Sequence, residues 1–206
     1  MQKGFIWGVF LLTGCDLTVP YVSTVPLPEK GTARVAVATV DERADILDKQ
    51  HPPNYVGIMR GRVGIPLDRL THDGRPLSED FSGTMANSLS ANGYVATAIA
   101  TSPAGNAAEA LKQLELSGAA RLVLLELRDW RSETYTNSTI SYDAVLHVYD
   151  GAGKELASKA DAGKEDTSHG SFFNPIYRSD DILVQFYEHE VQEWLSDPKI
   201  EAALQD

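Results

Sequence analysis

Leu122-Val123-Leu124-Leu125-Glu126-Leu127 is the stretch on which the fold turns. It is the strongest strand signal in the chain and continues with alternation through Trp130. Just upstream, Asn106-Ala107-Ala108-Glu109 resembles a capping box with Asn in place of Ser or Thr, opening a helix that passes Leu111 and Leu114 and stops at Gly118. Just downstream, Ile140, Tyr142, Ala144, Leu146 and Val148 recur with period two. Asp150-Gly151-Ala152-Gly153 then makes a hairpin turn into a weaker strand over Glu155 to Ala162.

Further upstream, Val35-Ala36-Val37-Ala38-Thr39-Val40 is a buried-strand pattern. Leu77, Phe81, Met85 and Leu89 recur every four residues, with Glu79 and Asp80 in the first turn and Asn92-Gly93 as a left-handed stop, so a helix is expected there, followed by a strand over Tyr94 to Ala100. Between Asp41 and Pro76 the chain reads as one long irregular stretch punctuated by glycine and proline. Beyond the loop Thr167 to Arg178, Ser179 is expected to cap a helix whose Ile182, Leu183, Phe186, Tyr187, Trp194 and Leu195 form one apolar face, and Asp197-Pro198 to open a short last one. The expected architecture is α/β (α+β): a single two-layer domain with a mixed sheet of about five strands and helices packed mainly on one face.

The N-terminus carries a different signal. Lys3 precedes an apolar run from Phe5 to Leu12, and Leu12-Thr13-Gly14-Cys15 follows, Cys15 being the single cysteine. A short basic region, an apolar segment too short to span a bilayer and small residues before a cut site form a secretory signal. The ending looks like the lipobox of bacterial lipoproteins, which implies cleavage before Cys15 and acylation of that residue. On this reading residues 1–14 are the signal peptide, 15–33 the lipidated cysteine and an extended tether, and 34–206 a domain facing the periplasm. Two or three acyl chains, at about 0.8 kcal/mol per buried methylene, anchor a protein without a transmembrane helix. Asp16 resembles the inner-membrane retention signal of enteric bacteria, a rule that does not extend to all bacteria, so inner and outer membrane stay open.

Composition narrows the partners. With 18 Lys and Arg against 29 Asp and Glu the formal charge is −11, which argues against nucleic acid or an anionic lipid surface as the main partner. A single cysteine allows no intramolecular disulfide, and 43% apolar residues suffice for a core in 206 residues.

Several features together resemble a family. The lipobox, the strand ending in Val40-Asp41-Glu42-Arg43-Ala44-Asp45, the glycine-containing loop, the helix closing on Asn92-Gly93-Tyr94 and the later hairpin look like the YajG-type bacterial lipoproteins, over roughly Arg34 to Ala162. That resemblance implies no enzymatic activity, and a fold similar to periplasmic α/β lipoproteins that form rings or dock on envelope machinery. The chain departs from it in its acidic charge and in Phe172-Phe173-Asn174-Pro175-Ile176-Tyr177.

The residues that bear chemistry have two readings each. Asp41, Arg43 and Asp45 either contact a ligand or ion at the carboxyl end of a strand or form an ion pair in which Arg43 fixes the loop. His189 and Glu193 lie one helical turn apart but lack the second histidine of a zinc helix, and His51, His72, His147 and His169 are scattered. Gly57 to Gly64 has no Gly-Lys-Ser/Thr ending, no Gly-x-Ser-x-Gly elbow exists, and Asn137-Ser138-Thr139 is most simply a turn. No cofactor or metal is expected. Tyr55, Ile58 and Met59, together with Phe172, Phe173, Ile176 and Tyr177, either form a protein interface or fold back to cap the sheet. The expected function is that of a non-enzymatic, lipid-anchored accessory or assembly protein of the cell envelope, attached to the membrane through acylated Cys15. It acts on an unknown envelope partner, or on copies of itself as a homo-oligomer. The alternative is a periplasmic module for a small ligand or cell-wall fragment.

Overall fold

The computed structural model describes residues 17–61, 63–102, 105–135, 137–167 and 175–205. β6 (Arg121–Thr134) runs through the middle of an eight-stranded mixed sheet. One of its edges pairs antiparallel with β7 (Ser138–Asp150), which pairs antiparallel with β8 (Glu155–Thr167). Its other edge is divided. The first half, from Arg121 to Leu127, pairs parallel with β2 (Arg34–Asp41), and the last part, Ser132 to Thr134, pairs parallel with β3 (Tyr55–Arg60). A register shift against β7 between Leu127 and Asp129 falls at the division. Beyond β2 lies β5 (Val95–Ala98), in parallel. Beyond β3 lie β4 (Pro66–Thr71), antiparallel to it, and β1 (Leu17–Val19), parallel to β4. The sheet therefore forks midway along β6.

The continuous apolar run of β6 follows from burial on both faces. Val123, Leu125 and Leu127 join one core with Val35 and Val37, while Leu122 and Leu124 join another with Ala36, Ala38 and Val40. Three helices cover the first face. α2 (Leu77–Ala91) presents Leu77, Phe81, Met85 and Leu89, all fully buried. α4 (Pro175–Leu195) adds Leu183, Tyr187, Val191, Trp194 and Leu195, and α5 (Pro198–Leu204) adds Ile200 and Leu204. α3 (Ala107–Leu116) covers the second face with Ala110 and Leu114, so the helices lie mainly on one face, as expected. The short α1 (Ala44–Leu47) follows β2.

An aromatic cluster fills the centre of the first face. Phe81 meets Trp130 edge-on at 5.0 Å and Tyr187 at 4.6 Å, and Tyr21 lies 4.7 Å from Tyr187. The Tyr187 hydroxyl, with its single proton, lies 3.0 Å from the Asp80 carbonyl and 2.8 Å from Thr84 Oγ1, hydrogen-bond contacts that satisfy the polar end of a buried ring.

Three differences from the sequence reading have physical causes. The sheet has eight strands instead of about five, because the stretch from Asp41 to Pro76 holds α1 and the β3–β4 hairpin and the segment ahead of Arg34 contributes β1. Gly57 and Pro66 broke the strand signal: Gly57 has φ 137°, a Cβ there would collide with the Ser132 backbone, and a bulge separates Tyr55 from Gly57. α4 begins at Pro175, so Ser179 lies inside the helix instead of capping it; proline at a first helical position is pre-organised for that role. The segment from Leu17 to Gly31 packs along the domain. Val19, Tyr21 and Val25 are buried, and the amides of Ser23 and Val25 donate to Thr84 Oγ1 (3.2 Å) and Ser88 Oγ (2.9 Å) on α2.

Candidate functional site

The fork is closed by Arg43, at the mouth of α1 where β2 ends, and its side chain is 1% exposed. Nε donates to Asp41 Oδ1 at 2.8 Å and Nη2 to Asp41 Oδ2 at 2.7 Å, a bidentate pair. Nη1 donates to the carbonyls of Tyr55 (2.6 Å) and Trp130 (3.1 Å), and Nη2 also to that of Pro53 (3.3 Å). A guanidinium has five N–H groups, and all are spent on the end of β2, the entry to β3 and the middle of β6. Asp45, half-buried in the first turn of α1, accepts through its carbonyl from the amides of Gln50 and His51. Any ligand addressing Arg43 has to displace this buried pair.

A more open feature lies at the end of the sheet where β6 turns into β7. A groove of about 460 Å³ is bounded by Tyr55 and Ile58 of β3, Arg131 and Glu133 of β6, Tyr135 in the turn, Thr139 and Ser141 of β7 and Lys164 of β8. Glu133 accepts from Arg60 Nε at 3.0 Å and Nη2 at 2.8 Å on the groove's rim. Tyr55 is buried beneath a stacked His51 ring at 3.7 Å, and Met59 is buried as well, which leaves Ile58 as the half-exposed member of the expected apolar trio.

Two buried acids mark other places. Asp80, on α2, is buried under Pro20, Tyr21 and Val22 beside Asp73, and burial pushes its carboxyl up to about 7 despite Arg75 Nη2 at 3.7 Å from Oδ1. Glu190 of α4 is pushed up to about 7 by burial and then by the neighbouring Asp161. It lines a shallow groove with His189, Glu193, Asp161 and Glu165, so the helix-turn pair noted in the sequence shares that groove with three further acids. His147 lies between Glu126 (3.6 Å) and Glu155 (3.1 Å), and His72 Nδ1 is 2.9 Å from Thr18 Oγ1. Among the described residues no group of three or more His, Cys, Asp or Glu side chains is placed to hold a metal ion.

Cys15, Phe172 and Phe173 lie outside the described residues, and Ile176 and Tyr177 fall in the first turns of α4. The sequence reading passed over Val63, Ile65 and Leu67, which are exposed at the tip of the β3–β4 hairpin. Among the described residues no helix is long and apolar enough to cross a membrane.

No family model matches the chain, and no curated protein does. Among solved structures, a DUF330 protein from Xanthomonas campestris shares 13% identity at a TM-score of 0.50, covering 85% of this chain and 92% of its own. The PelC dodecamer subunit from Paraburkholderia phytofirmans is similar at 13% identity and a TM-score of 0.43, over 89% and 95% of the two chains. Lipoprotein GNA1162 from Neisseria meningitidis is similar at 13% identity and 0.31, over 75% and 97%. At such identities the first of these is a likeness of fold, and the other two are too loose to add to it.

Proposed function

We propose that this chain is a lipid-anchored, non-enzymatic protein of the bacterial cell envelope, facing the periplasm and working through protein contacts as an accessory or assembly factor in the manner of the YajG-type lipoproteins it resembles. The observation that carries this reading is the lipobox-like Leu12-Thr13-Gly14-Cys15 placed two residues ahead of Leu17, the first residue of β1. Only Asp16 stands between the acylated residue and a strand hydrogen-bonded into the sheet, so attachment at Cys15 holds the domain directly against its membrane. The surface proposed for a partner is the groove beside Ile58, with Phe172 and Phe173, which lie outside the described residues, as the further candidates.

The test is crosslinking of the lipoprotein in its own envelope, followed by mass spectrometry of what co-purifies. A reproducible partner, or a ladder of self-crosslinks from a homo-oligomer, supports the reading. A monomer with nothing attached overturns it. A second reading, a module for a small ligand or cell-wall fragment, is favoured by the groove itself, which Arg131, Lys164 and Tyr135 all line. It requires a saturable rise in melting temperature with such fragments.

A further inference from the structure

The start of β1 and the tip of the β3–β4 hairpin point the same way. β1 pairs in parallel with β4, from Leu17↔Arg69 to Val19↔Thr71, so the N-terminal end of β1 lies toward the hairpin tip. β3 and β4 pair as far as Arg60↔Pro66, and the tip closes with Gly61 N donating to Ile65 O at 3.0 Å. β6 runs parallel to β3, which brings Tyr135 to the same end.

Beside the polar groove and the exposed Arg60–Glu133 pair, the hairpin tip at this end presents apolar side chains to solvent. Val63 is 82% exposed, Ile65 60%, Leu67 49% and Tyr135 50%. Three of these fall within five residues of one hairpin, and an exposed apolar cluster marks an interaction surface more firmly than single exposed side chains do. Leu116, at 88% the most exposed large apolar residue among those described, lies at the opposite end, where α3 leads into β6 and where Val95 (61%) and Leu156 (42%) are scattered on other elements.

Reach decides what covers the tip. An extended chain spans at most about 3.6 Å per residue, so Cys15 lies no further than about 7 Å from Leu17. Along β4, Pro66 is three residues beyond the level of Leu17, about 10 Å at the rise of a strand, and Val63 to Ile65 are reached beyond it. The tip therefore extends at least as far as the acylated residue can. Resting on the lipid-anchor reading, we propose that the hairpin tip is a second membrane contact, in which Val63 and Ile65 enter the acyl-chain boundary beside the lipids on Cys15 while Tyr135 and Arg60 sit at headgroup level. Tyrosine and arginine suit that level because each joins an apolar body to a polar end. The insertion is apolar in origin; a chain of net charge −11 gains nothing from anionic headgroups as a whole.

The test is Val63→Trp in the acylated full chain, reconstituted into phosphatidylcholine vesicles with and without bromine on the acyl chains. Trp7 leaves with the signal peptide when the chain is processed and acylated at Cys15, Trp130 and Trp194 are buried and give a constant background, and Leu116→Trp is the control at the far end. The expected result is a blue shift and loss of most of the added emission for Trp at 63, with neither change at 116. Protein that floats with the vesicles but keeps a water-like, unquenched signal at 63 overturns the inference and leaves the anchor standing. Protein with Cys15 intact that does not float, behaving like Cys15→Ser, overturns the anchor and the inference with it.

Discussion

Replacing Arg43 by alanine is expected to destabilise the domain by about 3–5 kcal/mol, the range for breaking a buried ion pair by removing one partner. The geometry places the loss there for two reasons. Asp41 keeps one weak donor, the Arg43 amide at 3.3 Å, while its carboxylate stays buried, and the carbonyls of Pro53, Tyr55 and Trp130 lose the guanidinium that satisfied them. In a chain of this length each 1 kcal/mol moves the melting midpoint by about 2–4 °C, so a fall of about 6–20 °C is expected. Urea unfolding read from the fluorescence of Trp130 and Trp194 measures it, with a shifted midpoint at unchanged slope. Arg43→Lys cannot fork onto Asp41 and reach three carbonyls together, so it lies between wild type and alanine. Arg43→Met combined with Asp41→Leu removes both charges and recovers part of the loss, because a cycle over the pair isolates their coupling. An alanine variant within about 0.5 kcal/mol of wild type would refute the staple and return Arg43 to the ligand reading.

Three further outcomes test other parts of the structure. Burial holds the Asp80 carboxyl up at about 7 against an ordinary 3.8, so the folded chain keeps a proton that the unfolded chain has released; the stability tied to that proton is full below about pH 4 and is lost as pH rises to about 7. Asp80→Asn should therefore flatten the fall of the urea midpoint across that window, and equal slopes in both proteins would count against the burial of this acid. Gly57→Ala should cost several times more than the roughly 0.5–1 kcal/mol that Gly83→Ala gains in the open middle of α2, since Gly57 has φ 137° against the Ser132 backbone and a Cβ at Gly83 meets nothing; paired thermal melts decide it. Tyr187→Phe deletes two buried hydrogen-bond contacts and should lose about 1–3 kcal/mol, with an unchanged urea midpoint as the contrary result.

The parts that were legible in the sequence are those whose cause is local. The Leu122 run and the Val35 run declare themselves because both faces are buried, and α2 because its apolar side chains repeat at i+4. Three element ends were legible for the same reason, though not the start of α4, where Ser179 lies inside the helix. Asn106 accepts from the Glu109 amide at 3.1 Å, Asp197 from that of Lys199 at 2.9 Å, and Asp150 holds the hairpin turn through the amides of Ala152 and Lys154. The fork was not legible, because it depends on the second half of β6 taking a partner from a hairpin whose strands are interrupted by Gly57 and Pro66. Asp41 and Arg43 stood out as a motif, but their surroundings come from afar: the Trp130 carbonyl is 87 residues from the guanidinium it accepts from. The tip was missed for a different reason, since Val63, Ile65 and Leu67 look like any core residues until the fold shows that no core reaches them.

The weaving of β1 into the sheet has a mechanical side. A pull on the N-terminus of β1, directed away from the domain, runs along the strand axis, so the β1–β4 hydrogen bonds are loaded in shear and must yield together instead of unzipping singly. Behind them the backbone bonds from Ser23 and Val25 to α2 and the buried ring of Tyr21 take up load in series. From β4 the load passes on through the ion pair between Arg69 and Asp180 to α4. On the proposed lipid-anchor reading, tension at Cys15 is delivered through β1 into the sheet and so into the body of the domain.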